Sequence, residues 1–262
     1  MAQRALSTSF PGAKASANKG PNMHVFANPA RFLKIARPLT AWLGWLGGAM
    51  IAGALVWGLF IAPSERLQGE SVRILYVHVP AAWLAMAGWS GIAAASLIQL
   101  VWRHPLAAVA ARGIAVPGAL FTAICLATGS LWGKPTWGTY WEWDGRMTSM
   151  LVLLFLFLAY IALANAEREK GGEGRLTAIF GLVGAVNLPI IHYSVIWWNT
   201  LHQGQSISFV RRTSTIDSSM LWPLLISWLG FTFLFGAIVL MRMRAELARN
   251  KVEARLKRMA QS

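Results

Sequence analysis

Long apolar runs alternate with short polar segments along the chain. Six runs hold about 20 or more residues without Asp, Glu, Lys or Arg, which is the length a helix needs to cross a hydrocarbon layer about 30 Å thick. These runs lack strand-like alternation, and backbone groups in lipid must be paired internally, so we predict helices and not barrel strands. The predicted spans are 39–61, 74–102, 113–131, 147–166, 176–198 and 218–241, the last beginning at Ser218 or Ser219.

Basic residues predict how the six helices are oriented. The two termini and the second and fourth connecting loops hold 18 of the 24 Lys and Arg residues. Cytoplasmic segments are enriched in Lys and Arg, so both termini are predicted to be cytoplasmic. The predicted organisation is a disordered basic cytoplasmic tail at 1–38, a six-helix membrane domain at 39–241 and a basic cytoplasmic helix at 242–262.

Composition agrees with an all-α integral membrane protein. Hydrophobic residues make up 56% of the chain and charged residues 13%, against roughly half and a quarter in soluble domains. The formal net charge of +14 is therefore attributed to topology and to contact with membrane lipid, and no nucleic-acid partner is predicted.

Several classes of function lack the residues they need. The predicted spans carry no charged side chain apart from histidine, whereas ion-coupled transporters keep such groups within the bilayer. The sequence has no GxxxxGK[ST], GxSxG or HExxH motif, so nucleotide or peptide hydrolysis has no visible carrier. The single cysteine, Cys125, lies in an apolar run and is expected to be a buried hydrophobe. Any directional transport would therefore need an energised partner, and we predict a scaffold more than an enzyme in its own right.

A tryptophan-rich segment is predicted as an outer loop between the third and fourth spans. Aromatic belts place single Trp residues at span ends, but here the aromatic residues fill a short segment punctuated by Gly133, Pro135 and Gly138. Such a platform suits a large, flat, apolar ligand with a polar edge. Its residues are Trp132, Trp137, Tyr140, Trp141 and Trp143, followed at once by Asp144 and Arg146.

Histidines on the same predicted side supply possible metal ligands. His78 begins the second span, with Pro80 expected in the first turn of that helix, and His202 follows the fifth span. Imidazole is a common axial ligand of haem iron, so a flat macrocycle over the aromatic platform is predicted to reach both. His192 lies deeper in the fifth span beside an expected break at Pro189, and its role is left open between orienting the helix and orienting the ligand.

Four segments resemble one known family. WGKPTWGTYWEWD at 132–144 is similar to the WWD signature of haem-handling membrane proteins in cytochrome c biogenesis. YVHVPAA at 76–82, NLPIIHYSV at 187–195 and WWNTLHQG at 197–204 resemble one branch, the haem exporter protein C (cytochrome c maturation protein C) family. The likeness extends from about the first span to the sixth and leaves out both tails.

The resemblance implies a multi-pass subunit of the bacterial inner membrane that holds haem b at its periplasmic face. In that family two histidines flank the Trp-rich loop and bind the iron; by motif they correspond to His78 and His202. The implied partners are a periplasmic haem chaperone, the separate ATPase and membrane subunits of an ABC transporter, and a small single-span membrane subunit.

The remaining site residues are assigned as hypotheses. Lys134 and Arg146 are candidates for the haem propionates, because charge-assisted pairs are the stronger hydrogen bonds. Asp144 is expected either to pair with Arg146 or to cap the fourth span. Two other functions are weighed: a haem b electron-transfer subunit, which commonly buries its histidines within the helices, and an aromatic-lined permease for another flat molecule.

The predicted topology is open to a direct test. Reporter fusions after residue 138, in the Trp-rich segment, should be active only on the outer side of the membrane, since the three loops predicted on that side share only 6 of the 24 Lys and Arg residues. Fusions at the two termini should be active only in the cytoplasm. An outer reporter that is silent at 138 would overturn the arrangement of the whole site.

Overall fold

A computed structural model of the chain describes residues 28–172, 174–198, 200–202, 204, 206–208 and 213–261. Within these residues, six helical segments are long and apolar enough to cross a membrane, as predicted. The protein is therefore an all-α multi-pass membrane protein, with one short antiparallel strand pair besides. The helices are α1 (Pro29–Val56, continued by a π-helical turn Trp57–Ile61), α2 (Leu75–Trp102, preceded by a 3₁₀ turn Glu70–Ile74), α3 (Ala107–Trp137), α4 (Gly145–Glu169), α5 (Arg175–Gly184), α6 (Asn187–Trp197) and α7 (Ser218–Met259), and the strands are β1 (Ile207–Ser208) and β2 (Thr213–Ser214).

The first helix begins ten residues before its predicted start. Pro29 occupies the first helical turn, where its missing N–H costs nothing, and the Asn28 side chain accepts a hydrogen bond from the Ala30 N–H at 2.9 Å. The predicted disordered tail is therefore helical over 29–38, and residues 1–27 lie outside the described residues. The prediction missed this part because it required charge-free runs, whereas a helix is free to carry Arg31, Lys34 and Arg37 beyond the hydrocarbon.

The fifth span is two helices joined at Ala185 and Val186. Pro189 has no N–H, so it cannot bond to the Ala185 carbonyl four residues back. That carbonyl accepts the Leu188 N–H instead, at 3.0 Å. The break therefore precedes Pro189, which lies in the first turn of α6.

The predicted separate C-terminal helix is a continuation of the sixth span. α7 runs without interruption for 42 residues, about 63 Å at 1.5 Å per residue. The hydrocarbon covers about half of that length. The basic second half of α7 therefore continues the membrane helix without a break.

Helices α2, α3 and α4 surround the main core, whose centre is the fully buried Trp89. Its ring lies edge-on to Phe157 with 5.0 Å between ring centroids. Gly118 of α3 leaves room for the ring of Phe157 of α4, since a Cβ added at Gly118 would lie 2.3 Å from that ring. The two helices therefore approach closely at this point. At the end of the bundle where α1 begins and α7 ends, which we call the terminal end, Glu246 of α7 contacts Arg112 of α3 and Arg168 of α4.

Pro80 is the sixth residue of α2, inside the helix and not in its first turn as predicted. A proline there cannot donate to the carbonyl of Tyr76. Ser227 of α7 replaces the missing donor, since its hydroxyl donates to the Tyr76 carbonyl at 2.5 Å in a fully buried position. One side-chain hydrogen bond thus joins α7 to α2 two residues from His78.

Ser227→Ala should lower the thermal stability of the purified protein in detergent. The substitution leaves a buried carbonyl without a donor, which costs about 1–3 kcal/mol. The matched control is Ser90→Ala in α2, because the exposed Ser90 hydroxyl only supplements the helix by donating to Met86. Equal midpoints for the two variants in a thermal unfolding assay would contradict this role.

Candidate functional site at the aromatic end

The predicted site residues converge where α2 begins and α3 ends. We call this end of the bundle, which contains His78, Trp132, Trp137, Asp144 and His202, the aromatic end. Trp132 and Trp137 lie on the last turns of α3 and not in a loop, because the helix continues to Trp137. The segment that connects α3 to α4 is correspondingly short, 138–144, and holds the other two tryptophans of the cluster.

Two glycines, Gly133 and Gly138, shape the end of α3. Gly138 adopts the left-handed conformation (φ 80°), and its N–H closes the helix on the Lys134 carbonyl at 3.0 Å, which is a common way for helices to end. Gly133 leaves space for Trp137, since a Cβ there would lie 3.0 Å from that ring. The turn thus folds Trp137 back against the helix.

His78 is held from α3. Its Nδ1 lies 3.0 Å from the Thr128 hydroxyl oxygen, and its ring lies edge-on to Trp132 with centroids 5.6 Å apart. The Cα of Gly129 faces the imidazole, because an added Cβ would lie 2.9 Å from His78 Cε1. Three residues within two turns of α3, Thr128, Gly129 and Trp132, therefore fix the position of this ring.

The connection between α1 and α2 is tied to the same place. Trp132 donates from its indole nitrogen to the Gln68 side chain at 2.8 Å. Arg73 donates to the carbonyls of Gly58 at 2.8 Å and Leu59 at 2.6 Å, which closes the end of the π-helical turn. Trp132 consequently packs between His78 and a well-anchored loop.

His202 is held by a carboxylate. Its Nδ1 lies 2.7 Å from Asp144 Oδ2, and its ring lies against Trp137 with centroids 4.6 Å apart. The Thr200 hydroxyl donates to the same carboxylate oxygen and accepts the His202 backbone N–H at 3.1 Å. Side-chain exposure is 16% for His202 and 3% for Asp144, so this bond is shielded from solvent.

Asp144 has a second task at the start of α4. Its Oδ1 accepts the Met147 N–H at 2.8 Å, which confirms the predicted cap. Burial raises the pKa of this carboxyl, but the hydrogen bonds from His202, Thr200 and the Met147 N–H outweigh burial and lower the pKa to about 2. Asp144 is therefore ionised and acts only as an acceptor.

The alternative pairing of Asp144 with Arg146 is not formed, since no ion pair within 4 Å joins these two described side chains. Arg146 is partly buried and its Nε has no hydrogen-bond partner, although both His78 and Asp144 are within its electrostatic range. Lys134, the other predicted cation, donates to the Gly138 carbonyl at 3.0 Å and lies over the Tyr140 ring. Of the two, Arg146 is the one with a buried donor that lacks a partner among the described residues.

The remaining aromatic residues extend the cluster toward the surface. Trp141 is partly buried and lies edge-on to Trp143, which is 73% exposed. His192 is on the exposed face of α6, edge-on to its neighbour Tyr193. The buried face of α6 is formed instead by Asn187, Ile191 and Ser194.

Sequence reasoning missed the polar residues that hold the two imidazoles and the indole of Trp132. Thr128 and Gln68 carry no motif signal, because their partners lie 50 and 64 residues away. Thr200 had one signal, its place two residues before His202, a spacing typical of hydroxyl side chains that bond local backbone.

Each histidine thus uses Nδ1 for a protein contact, and within the described part of the chain no hydrogen bond occupies Nε2 of either ring. A neutral imidazole with Nδ1 protonated presents a bare Nε2 lone pair, the usual metal-binding form. The fold and this arrangement define a class: a six-span membrane protein with two partly buried imidazoles in an aromatic setting at one end of the bundle.

The comparisons with known proteins agree with that class. The chain belongs to the heme exporter protein C family, whose model matches residues 22–258. It is similar to heme exporter protein C of Bradyrhizobium diazoefficiens, with 47% identity over 87% of this chain and 86% of that one. The corresponding figures for the Escherichia coli K12 protein are 46%, 85% and 89%, and for the Haemophilus influenzae protein 41%, 86% and 91%.

Gly129→Ala should displace the His78 ring. The new methyl group would lie 2.9 Å from Cε1, well inside contact distance, so the ring has to leave Thr128. Nitrogen NMR of labelled histidines should show a changed Nδ1 signal for His78 and an unchanged one for His202.

Gly53→Ala is the matched control, since a Cβ at this helical glycine meets nothing within 4 Å. An unchanged His78 signal in Gly129→Ala would show that the ring is held less tightly than its contacts indicate.

Proposed function

We propose that this protein binds haem b at the aromatic end, where Nε2 of His78 and Nε2 of His202 would hold the iron. The observation that carries the proposal is the pair of imidazoles, each engaged through Nδ1 and each leaving Nε2 for a metal. Two imidazoles give a six-coordinate haem. The relatives of this chain are heme exporter proteins, which supports haem as the ligand.

The aromatic residues suit the porphyrin. Trp132 and Trp137 each contact one of the proposed ligands edge-on, so they lie where the flat faces and edges of a macrocycle need apolar cover. Trp141 and Trp143 continue the apolar surface outward. Aromatic side chains supply large contact areas at such sites, and they keep water from the iron ligands.

Arg146 is proposed to bind a haem propionate. Its Nε is buried without a partner, and an unpaired buried donor is costly unless a ligand satisfies it. An arginine fork matches a carboxylate in geometry. Lys134 already caps α3 and is the weaker candidate for this role.

The aromatic end is proposed to face the periplasm from the bacterial inner membrane. The terminal end carries the basic residues of α1 and of the long α7, and the side of the membrane with more Lys and Arg is the cytoplasmic one. Haem held at the aromatic end is then available to a soluble periplasmic partner, and the exposed Trp143 lies on that side.

We infer that the chain presents haem for the biogenesis of c-type cytochromes. The proposed recipient is a periplasmic haem chaperone, and the proposed companions are the ATPase and membrane subunits of an ABC transporter and a small single-span subunit. The relatives' description as exporters supports an assembly of this kind. The chain acts as a haem-holding scaffold, with His78, His202, Trp132, Trp137 and Arg146 contacting the cargo.

Two other functions fit the site less well. A subunit that carries electrons across the bilayer needs haem ligands within the membrane, whereas His202 lies beyond the end of α6 and His78 is in the first turn of α2. A permease for another flat molecule has no need of two imidazoles with free Nε2 atoms. The role of His192, exposed on α6, is proposed as a contact outside the iron site.

The test is the absorption spectrum of the purified protein. Wild type should carry the Soret band of a six-coordinate, low-spin haem. The double variant His78→Ala with His202→Ala should lose most of the bound haem, because both iron bonds are removed. His104→Ala is the matched control, since His104 lies at the start of the α2–α3 connection at the terminal end.

Wild type without a Soret band would refute haem binding. A double variant with an unchanged band would refute ligation by these two histidines. In Arg146→Ala the band should remain with reduced haem content, and an unchanged content there would remove Arg146 from the propionate role alone.

A further inference from the structure

We propose that Asp144 and Thr128 are positioning residues that make the two iron ligands unequal, so that His202 is the retained ligand and His78 is the one released first. This inference rests on the proposed haem-binding function. It concerns the groups that contact Nδ1 of each histidine, one of which is charged and the other neutral.

On one side, the acceptor behind the imidazole is an anion. Asp144 Oδ2 accepts from His202 Nδ1 at 2.7 Å and takes a second hydrogen bond from Thr200. A carboxylate behind a ligating imidazole makes the ring a stronger electron donor and fixes its tautomer. The other carboxylate oxygen is anchored by the Met147 N–H of α4, so the acceptor cannot rotate away.

On the other side, the acceptor is neutral. The Thr128 hydroxyl oxygen lies 2.7 Å from the Ile124 carbonyl, 3.2 Å from the Cys125 carbonyl and 3.0 Å from His78 Nδ1. We assign its single proton to a carbonyl, so that the oxygen accepts from His78 Nδ1. A neutral hydroxyl polarises an imidazole less than a carboxylate does. His78 therefore has the same tautomer as His202 but weaker donor strength.

The consequence is a directed exchange of ligands. In the haem-loaded protein, a competing imidazole would displace His78, the weaker donor, at a lower cost than His202, so His202 would keep hold of the haem. A site with two equal ligands has no such preference. One retained and one exchangeable ligand would suit a protein that binds haem and then transfers it to a partner.

Asp144→Asn tests the carboxylate without removing its shape. The amide oxygen can still cap α4 by accepting the Met147 N–H, as asparagine does well, but its NH₂ group then faces His202 Nδ1. That contact favours the opposite tautomer, with the proton on Nε2, which removes the lone pair from the iron. The same logic governs the aspartate-to-asparagine change in serine-protease triads.

The experiment measures three properties of the protein with its copurified haem: haem affinity, reduction potential and the concentration of free imidazole that displaces a protein ligand. Asp144→Asn should weaken haem binding by about 10- to 100-fold and raise the reduction potential, because the anion that stabilises ferric iron is lost. Thr128→Val should weaken binding by a smaller factor and leave the potential nearly unchanged. Thr128→Ser keeps the hydroxyl and should restore wild-type values.

Single ligand variants assign the exchangeable side. His78→Gly should retain haem, bound through His202, and added imidazole should restore the low-spin spectrum. His202→Gly should lose most of its haem under the same conditions. The reverse order of retention would overturn the assignment of His78 as the exchangeable ligand.

Two matched controls separate positioning from folding. Asp217→Asn removes a carboxylate that caps α7 through the Ser219 N–H, on the same side of the membrane but without a histidine contact. Thr122→Val removes a hydroxyl of α3 that bonds only to the Gly118 carbonyl. Both should leave the potential and the imidazole response at wild-type values.

The outcomes also distinguish this inference from the proposed function. Equal effects of Asp144→Asn and Thr128→Val on potential and affinity, in a protein that carries low-spin haem, would overturn the inequality and leave haem binding intact. A wild-type protein without haem would overturn both.

Discussion

The carboxylate of Asp144 connects three parts of the chain at the aromatic end. One oxygen closes the start of α4, and the other binds Thr200 and His202, which follow α6. Burying a charge near the edge of a membrane is costly unless it is well paired, and three donors meet that cost here. Without this ion the start of α4, the segment after α6 and one proposed iron ligand would lose their common anchor.

The helix that carries His78 lacks one backbone hydrogen bond close to the site, and a side chain of another helix compensates for the loss. Pro80 deprives Tyr76 of a helical donor, and Ser227 supplies another from α7. Backbone groups within a membrane have no water with which to form hydrogen bonds, so a missing backbone donor must be replaced by another protein group. As a result the start of α2, with His78, is held by both α3 and α7.

The two ends of the bundle are stabilised by different means. At the terminal end, Glu246 is shared by Arg112 and Arg168, so α3, α4 and α7 are joined by charge. At the aromatic end, aromatic edges and hydrogen bonds to neutral groups surround the two histidines, and Asp144 is the charged group that bonds to one of them. The two proposed iron ligands differ in the same way, one bonded to a carboxylate and the other to a hydroxyl.

The sequence by itself determined the six spans, since lipid demands long charge-free runs, and it predicted the family through motifs that surround His78 and His202. Their joint position was inferred from the predicted side of the membrane. Only the tertiary structure decided where helices continue past the hydrocarbon, as at Trp137, because charged and polar residues there leave no periodic signal. It also decided the partners of the imidazoles: Asp144 lies 58 residues from His202 and was expected to pair with Arg146 or to cap α4. Such choices depend on which helix faces meet, and helix packing is a property of the whole bundle that no local pattern of residues records.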